Sequence, residues 1–381
     1  MNTFPAQAAD LAQLSAASRR RSLAARTGAD FASNDYLGLA ASQELADAVA
    51  AALARGVPVG SGGSRLLRGN HEEHEALEAE AAAFFGCERA LFFSSGFAAN
   101  AAMFAALPQR GDLVVYDELI HASAHEGMRL GRAEHVAVRH NDAGAFELAI
   151  GNWRARGETG RVWIAVESLY SMDGDRAPLD DLAALAARHD AVLLIDEAHA
   201  TGVFGPDGRG LAAHLEGQDN VIALRTCGKA LGSEGALVCA PAVVTDFLIN
   251  RGRGFIFSTA PSPLMAAAVR ASLRLLVSQP QRRDMLWQRV RLAEQVLGPL
   301  GATVSHSQIL PLIVGADGAA MAKAAALQAA GFDVRGIRPP TVPHGTARLR
   351  IAITLNVSEA EITGLGEAMA AMAVASDAQA C

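Results

Sequence analysis

Between residues 42 and 280, seven short, continuously apolar runs alternate with longer segments of helical periodicity. The apolar runs cover 90–93, 113–116, 135–138, 162–167, 192–196, 221–224 and 235–239. The helical segments include 43–54, 72–85, 97–106 and 179–188. A run without polar alternation forms a strand only if both of its faces are buried. Such strands, separated by helices, imply an α/β fold with a mostly parallel central sheet covered by helices. Sites in sheets of this kind collect at the carboxyl ends of the strands.

The rest of the chain divides around this block. Residues 1–41 read as an N-terminal arm, with an amphipathic helix in the first 28 and a basic turn at Arg19, Arg20 and Arg21. Residues 42–280 form the large domain; a Pro- and Ser/Thr-rich stretch at 257–263 breaks its alternating pattern, and a long helix pair follows over about 264–298. Residues 281–381 read as a smaller C-terminal α+β domain, with strands at 309–314, 332–336 and 347–353 and helices at 319–330 and 359–373.

Composition narrows the function classes. The chain has 381 residues, 51% hydrophobic and 19% charged, enough for a sizeable core. Its formal net charge of -7 argues against general nucleic-acid binding, which needs a basic face. The four cysteines, Cys87, Cys227, Cys239 and Cys381, form no CxxC pair and suit a reduced, cytoplasmic protein. No basic region followed by an apolar core opens the chain, and no apolar run approaches the ~18 residues of a membrane span.

Chemistry concentrates at the ends of the apolar runs. Lys229 lies among small residues just after the run at 221–224. Asp196 ends another run, and His199 follows three residues on. A lysine, a carboxylate and an imidazole presented together are what pyridoxal phosphate chemistry requires. The amine binds the cofactor aldehyde, the carboxylate keeps a proton on the pyridine nitrogen, and the imidazole supports the ring. Ser95-Gly96-Phe97 ends a strand and opens a helix whose free N–H groups suit a phosphate. Thr226 can reach the same phosphate, and Ser171 follows a further strand end.

Other features carry two readings. His121 follows a strand, as a ring-stacking imidazole or as a helix-start residue. Arg348 and Arg350 share one strand face, as a carboxylate fork or as two edge-strand surface arginines. His71 and His74 mimic a zinc motif, but a spacing of three with no third ligand argues against metal. The glycine-dense 60–70 stretch lacks the strand of a dinucleotide loop and reads as an irregular loop near a ligand or subunit boundary.

Several motifs together resemble one family. They are SNDYLGL from Ser33, GSGGS from Gly60, SGFAAN from Ser95, SMDGD from Ser171, IDEAHATGVFG from Ile195, GKALG from Gly228, and the IRPPTVPHGTARLRI stretch from Ile337. These resemble the α-oxoamine synthases, fold-type I pyridoxal phosphate transferases, over about residues 34–353. The biotin-pathway branch of that family matches best.

The resemblance implies a decarboxylative condensation of L-alanine with an acyl thioester, pimeloyl-CoA or pimeloyl-carrier protein. Rivals within the family use glycine or serine, and a pyridoxal phosphate aminotransferase is a rival outside it. By motif position, Lys229 is the Schiff-base lysine, Asp196 pairs with the pyridine nitrogen, His199 approaches the ring oxygen and His121 stacks on the ring. Gly96, Phe97, Ser171 and Thr226 contact the cofactor, and Ser258 and Thr259 reach its phosphate from the partner of a homodimer. Arg19, Asn34, Thr341 and Arg350 lie on the substrate side, with Arg350 as the carboxylate clamp. Two departures stand out: a short stretch before Asp30, and Leu66-Leu67-Arg68 after GSGGS, where Arg68 either meets an anionic substrate group or faces solvent.

Overall fold

The structure, a computed structural model, describes residues 3–380, so Cys381 lies outside the described residues. The chain divides into two compact units. One comprises Leu37–Ser171 and Arg176–Arg283; the other comprises Met1–Tyr36, Met172–Asp175 and Asp284–Cys381. The arm expected at 1–41 thus clusters, through residue 36, with the C-terminal unit.

The large unit is built on a seven-stranded sheet. Its strands run in the order Arg89–Phe93, Ala236–Ala240, Val221–Thr226, Val192–Asp196, Val162–Glu167, Leu113–Asp117 and Glu134–Val138. Ala236–Ala240 is antiparallel to both neighbours, and the other pairings are parallel. Alternate side chains feed two cores. Val114 and Tyr116 join one layer with Met103 and Phe104, while Leu113 and Val115 join the other with Phe146 and Leu182. Burial on both faces is why these runs carry no polar alternation. Helices Gly96–Ala106, Ala122–Leu130 and Ala242–Arg251 contribute to the first core, and Ala143–Ala155 and Leu179–Arg188 to the second.

One stretch of this unit differs from the sequence reading. Arg65–Gly69 is a π-helical turn, not an irregular loop. It is held by Arg65, which forks onto Glu78 at 2.8 and 2.9 Å. The two-histidine motif is a helix cap. His74 is buried, its Nδ1 accepts from the His71 N–H, and its Nε2 lies 2.8 Å from the Pro261 carbonyl oxygen. The ring is therefore neutral with its proton on Nε2. Among the described residues no group of His, Cys, Asp and Glu could hold a metal ion. No helix among them is long and apolar enough to cross a membrane.

The smaller unit holds an antiparallel sheet ordered Arg335–Ile337, Ala347–Ala352, Ile309–Gly315. The strand expected over 332–336 is two: a turn at Val334 sends Phe332–Asp333 to pair in parallel with Ala29–Asp30 instead. Ala347–Ala352 is the central strand, so Arg348 and Arg350 are not edge-strand surface residues. The first helix, Pro5–Ala16, has no buried residue: Leu14 is half-buried and the rest of its expected amphipathic face is exposed.

Burial, and next the charge of Arg65, push the His74 imidazole down to about 4. An unfolded histidine takes up its proton near 6.5. The neutral ring therefore contributes stability above pH ~6.5 that is lost as pH falls through about 4. Urea midpoints measured across this range should drop more steeply for wild type than for His74→Gln; parallel curves would contradict this protonation state.

Candidate active site

The carboxyl ends of the parallel strands collect the polar groups of the large unit: Asp117, Glu167, Asp196 and Thr226. Asp196 is held from two sides. Its Oδ1 accepts the Ala198 N–H at 2.9 Å, and its Oδ2 accepts the Asn100 side-chain amide at 2.7 Å. Three residues beyond it, His199 is buried and its Nε2 lies 2.7 Å from Lys229 Nζ.

Small residues around Lys229 let the backbone turn tightly. The Lys229 carbonyl accepts the Gly232 N–H at 2.8 Å. Gly232 has φ 62°, and a Cβ there would run into the backbone of Leu39 and Ala40. Gly202 has φ 84°, and a side chain there would press on Ala230. These contacts explain why glycine and alanine crowd both motifs.

Asn100 organises more than Asp196. Its amide nitrogen also donates to Ser123 Oγ at 3.0 Å. That hydroxyl lies 2.8 Å from His121 Nδ1, which also accepts the Ser123 N–H at 3.3 Å. His121 thus caps the Ala122–Leu130 helix, which is the helix-start reading. With Nδ1 accepting, the proton of the neutral ring sits on Nε2. Burial holds the His121 pKa below its ordinary value, Asp196 pulls it up and Lys229 pushes it down.

Ser95 caps the Gly96–Ala106 helix by accepting the Ala98 N–H at 3.1 Å, and Phe97 is half exposed on its first turn. A Cβ at Gly96 would fill a space bounded by Thr226 Oγ1 at 3.6 Å. The Ser171 N–H donates to Glu167 Oε2 at 3.2 Å. Ser258 and Thr259 line a small cavity with Ser94, Arg65 and Phe255.

The remaining sequence-derived residues lie in the smaller unit. Arg350 is buried and donates to Asn34 Oδ1 at 2.9 Å and to the Tyr36 hydroxyl at 3.4 Å. Arg348 is buried too, and it pairs with Asp173. Arg19 is ion-paired to Asp317 at 2.6 Å and lies 3.1 Å from His344 Nδ1, so a substrate carboxylate would compete with these partners. Thr341 Oγ1 accepts from Arg21 at 3.1 Å.

A family profile for class I and II aminotransferases matches residues 26–369. An 8-amino-7-oxononanoate synthase of Anaeromyxobacter dehalogenans is 45% identical over 343 residues, 89% of this chain and 85% of that one. One from Methylobacterium nodulans is 43% identical over 380 residues, 96% of each. The chain belongs to the class I and II aminotransferase family, in its α-oxoamine synthase branch. Solved relatives agree. A serine palmitoyltransferase variant from S. paucimobilis, with pyridoxal phosphate bound, matches with TM-score 0.88 at 27% identity over 97% of this chain and 98% of that one. The 8-amino-7-oxononanoate synthase of Francisella tularensis matches with TM-score 0.76 at 27% identity, over 92% and 98%.

The cofactor of an α-oxoamine synthase is pyridoxal phosphate, and the residues here fit it. Asp196 is a carboxylate braced by two donors, as a partner for a ring nitrogen must be. The helix start at Gly96, open toward the Thr226 hydroxyl, offers N–H groups to a phosphate. Lys229 would supply the amine.

Sequence reasoning missed two contributors. Asn100 lies one helical turn beyond Gly96, inside a motif already singled out, but its partners become visible only in three dimensions. Glu167 carried the clearer signal: like Asp196, it is a carboxylate ending an otherwise apolar strand. Asn100→Ala would strip a donor from both Asp196 and Ser123 in a buried site, at a cost of about 1–3 kcal/mol in unfolding free energy. Asn100→Asp should cost more, because it adds an anion beside Asp196; chemical denaturation of both variants checks the order.

Proposed function

We propose that the protein catalyses the 8-amino-7-oxononanoate synthase reaction, the decarboxylative condensation of L-alanine with a pimeloyl thioester, carried by CoA or a carrier protein. The observation that carries this reading is Lys229 against His199, with an Asp196 that accepts the Asn100 amide, in a chain 45% identical to enzymes of that name. Bound there, pyridoxal phosphate supplies an electron sink for the α-carbon of the amino acid.

The chain's own residues supply the rest. Lys229 Nζ anchors the cofactor and then takes the α-proton of alanine. Asp196 holds a proton on the ring nitrogen, and His199 faces the ring oxygen beside Lys229. His121, neutral with its proton on Nε2, covers the ring and donates to the thioester carbonyl. Gly96, Phe97, Ser171 and Thr226 seat the cofactor, with Ser258 and Thr259 reaching the phosphate of the second subunit in a cytoplasmic homodimer. Arg350, oriented by Asn34 and Tyr36, grips the alanine carboxylate. Arg19 and Thr341 lie on the same substrate side in this reading.

A second reading, another α-oxoamine synthase, draws support from the TM-score of 0.88 to a serine palmitoyltransferase. Mass spectrometry of products from alanine, glycine and serine with a panel of acyl thioesters separates the two. Only alanine with a pimeloyl thioester should give 8-amino-7-oxononanoate and CO₂; turnover restricted to serine or glycine would overturn the first reading.

Borohydride should fix the cofactor covalently onto the peptide containing Lys229. Lys229→Ala should keep the wild-type circular dichroism yet lose more than about a thousandfold in turnover. Arg350→Lys keeps the charge but not the planar fork, so it should raise KM for alanine about tenfold or more with a smaller change in kcat.

A further inference from the structure

Two carboxylates stand side by side at the exit of the central sheet. Glu167 ends Val162–Glu167, Asp196 ends Val192–Asp196, and the parallel register pairs the two residues directly. Side chains paired across neighbouring strands point to the same face. These acids therefore share one small volume, but they are treated differently there.

Asp196 receives a donor on each oxygen, from Ala198 and Asn100. Glu167 is 2% exposed and receives only the Ser171 N–H, on Oε2. Its Oε1 is buried without a hydrogen-bond partner. A bare ionised oxygen in a dry site is strongly disfavoured. A protonated one is a hydrogen-bond donor.

The carboxylates facing Glu167 act in the same direction as its burial. Asp196 on one neighbouring strand and Asp117 on the other side both oppose a further anion, and Lys229 is the cation that favours one. His140 meets Asp117, at 2.9 Å, rather than Glu167.

We propose that Glu167 works as an uncharged carboxylic acid that donates from Oε1 into the cofactor site and leaves Asp196 as the one anion of the pair. Burial, and then Asp196, hold its carboxyl up at about 8. The consequence falls on Lys229. A second anion beside it would stabilise its ammonium form, and an amine held protonated cannot take a proton from substrate. Glu167 is thus a positioning residue whose neutrality keeps the lysine able to act as a base. The occupant of the site rests on the pyridoxal phosphate reading; the proton on Glu167 does not.

Infrared difference spectra of the apoprotein between about pH 7 and about pH 9 test the proton directly. A protonated-carboxyl band should be present at the lower pH, disappear with a midpoint near about 8, and be missing from Glu167→Gln. A spectrum without that band overturns the proposal. Pyridoxal phosphate affinity near neutrality tests the donor. Glu167→Gln, which also carries a neutral donor, should bind within about threefold of wild type, and Glu167→Leu about tenfold more weakly. If Glu167→Gln falls as far as Glu167→Leu, the neutral-donor role is wrong. Wild-type protein that takes up no pyridoxal phosphate would sink the enzyme reading instead, and the infrared band would still decide the proton.

Discussion

A guanidinium with no solvent exposure has to be answered by buried anions, and Arg225 is such a group. It ion-pairs with Glu216 and lies 3.5 Å from Glu197, while its plane covers the Phe85 ring at 4.0 Å. Glu197 in turn accepts the N–H groups of Leu211 and Ala212 at 3.0 and 2.8 Å, and no side chain would fit at Gly210 beside it. The cluster joins two neighbouring strand ends to the 209–216 segment. Asp196 and His199 lie on either side of Glu197 in sequence, and Thr226 and Lys229 follow Arg225. Taking away one member of such a pair leaves a buried charge uncompensated, a larger penalty than the pair itself repays. The positions of the site's acid, imidazole and amine are thereby tied to one ion cluster outside the chemistry.

Protonation is set by geometry throughout the large unit. Asn100 has two amide hydrogens, and both are used, one on Asp196 and one on Ser123. The same serine, through its hydroxyl and its backbone N–H, fixes His121 as an acceptor at Nδ1. His74 is fixed in the same way by His71 and Pro261. A fold that determines which ring nitrogen carries hydrogen also determines which histidine can donate, and in which direction.

Much of this was legible in the chain itself. The apolar runs read as strands because a strand buried on both faces has no polar positions to interrupt it. Asp196, Thr226 and Lys229 stood out because polar residues end or follow those runs. The missed features depend on partners distant in sequence. Nothing local shows that Asn100 spans the gap to Asp196, or that Arg225 is met by Glu216 and Glu197. Arg348 and Arg350 could be judged edge residues only while the order of the small sheet was unknown; its central strand buries both. The leading helix has apolar residues at helical spacing, but periodicity alone does not supply a surface to pack against.

The smaller unit is stitched from three separate stretches of chain. Its first strand, Ala29–Asp30, leaves the ribosome early, but its pairing partner, Phe332–Asp333, is about three hundred residues downstream. Asp173 likewise waits for Arg348. During synthesis the large unit can gather its sheet while the opening residues have no partner, and the second unit closes only when the final tenth of the polypeptide emerges. A fragment beginning at residue 284 would lack both the early strand and Asp173, so this unit is not a module that a single cut could release intact.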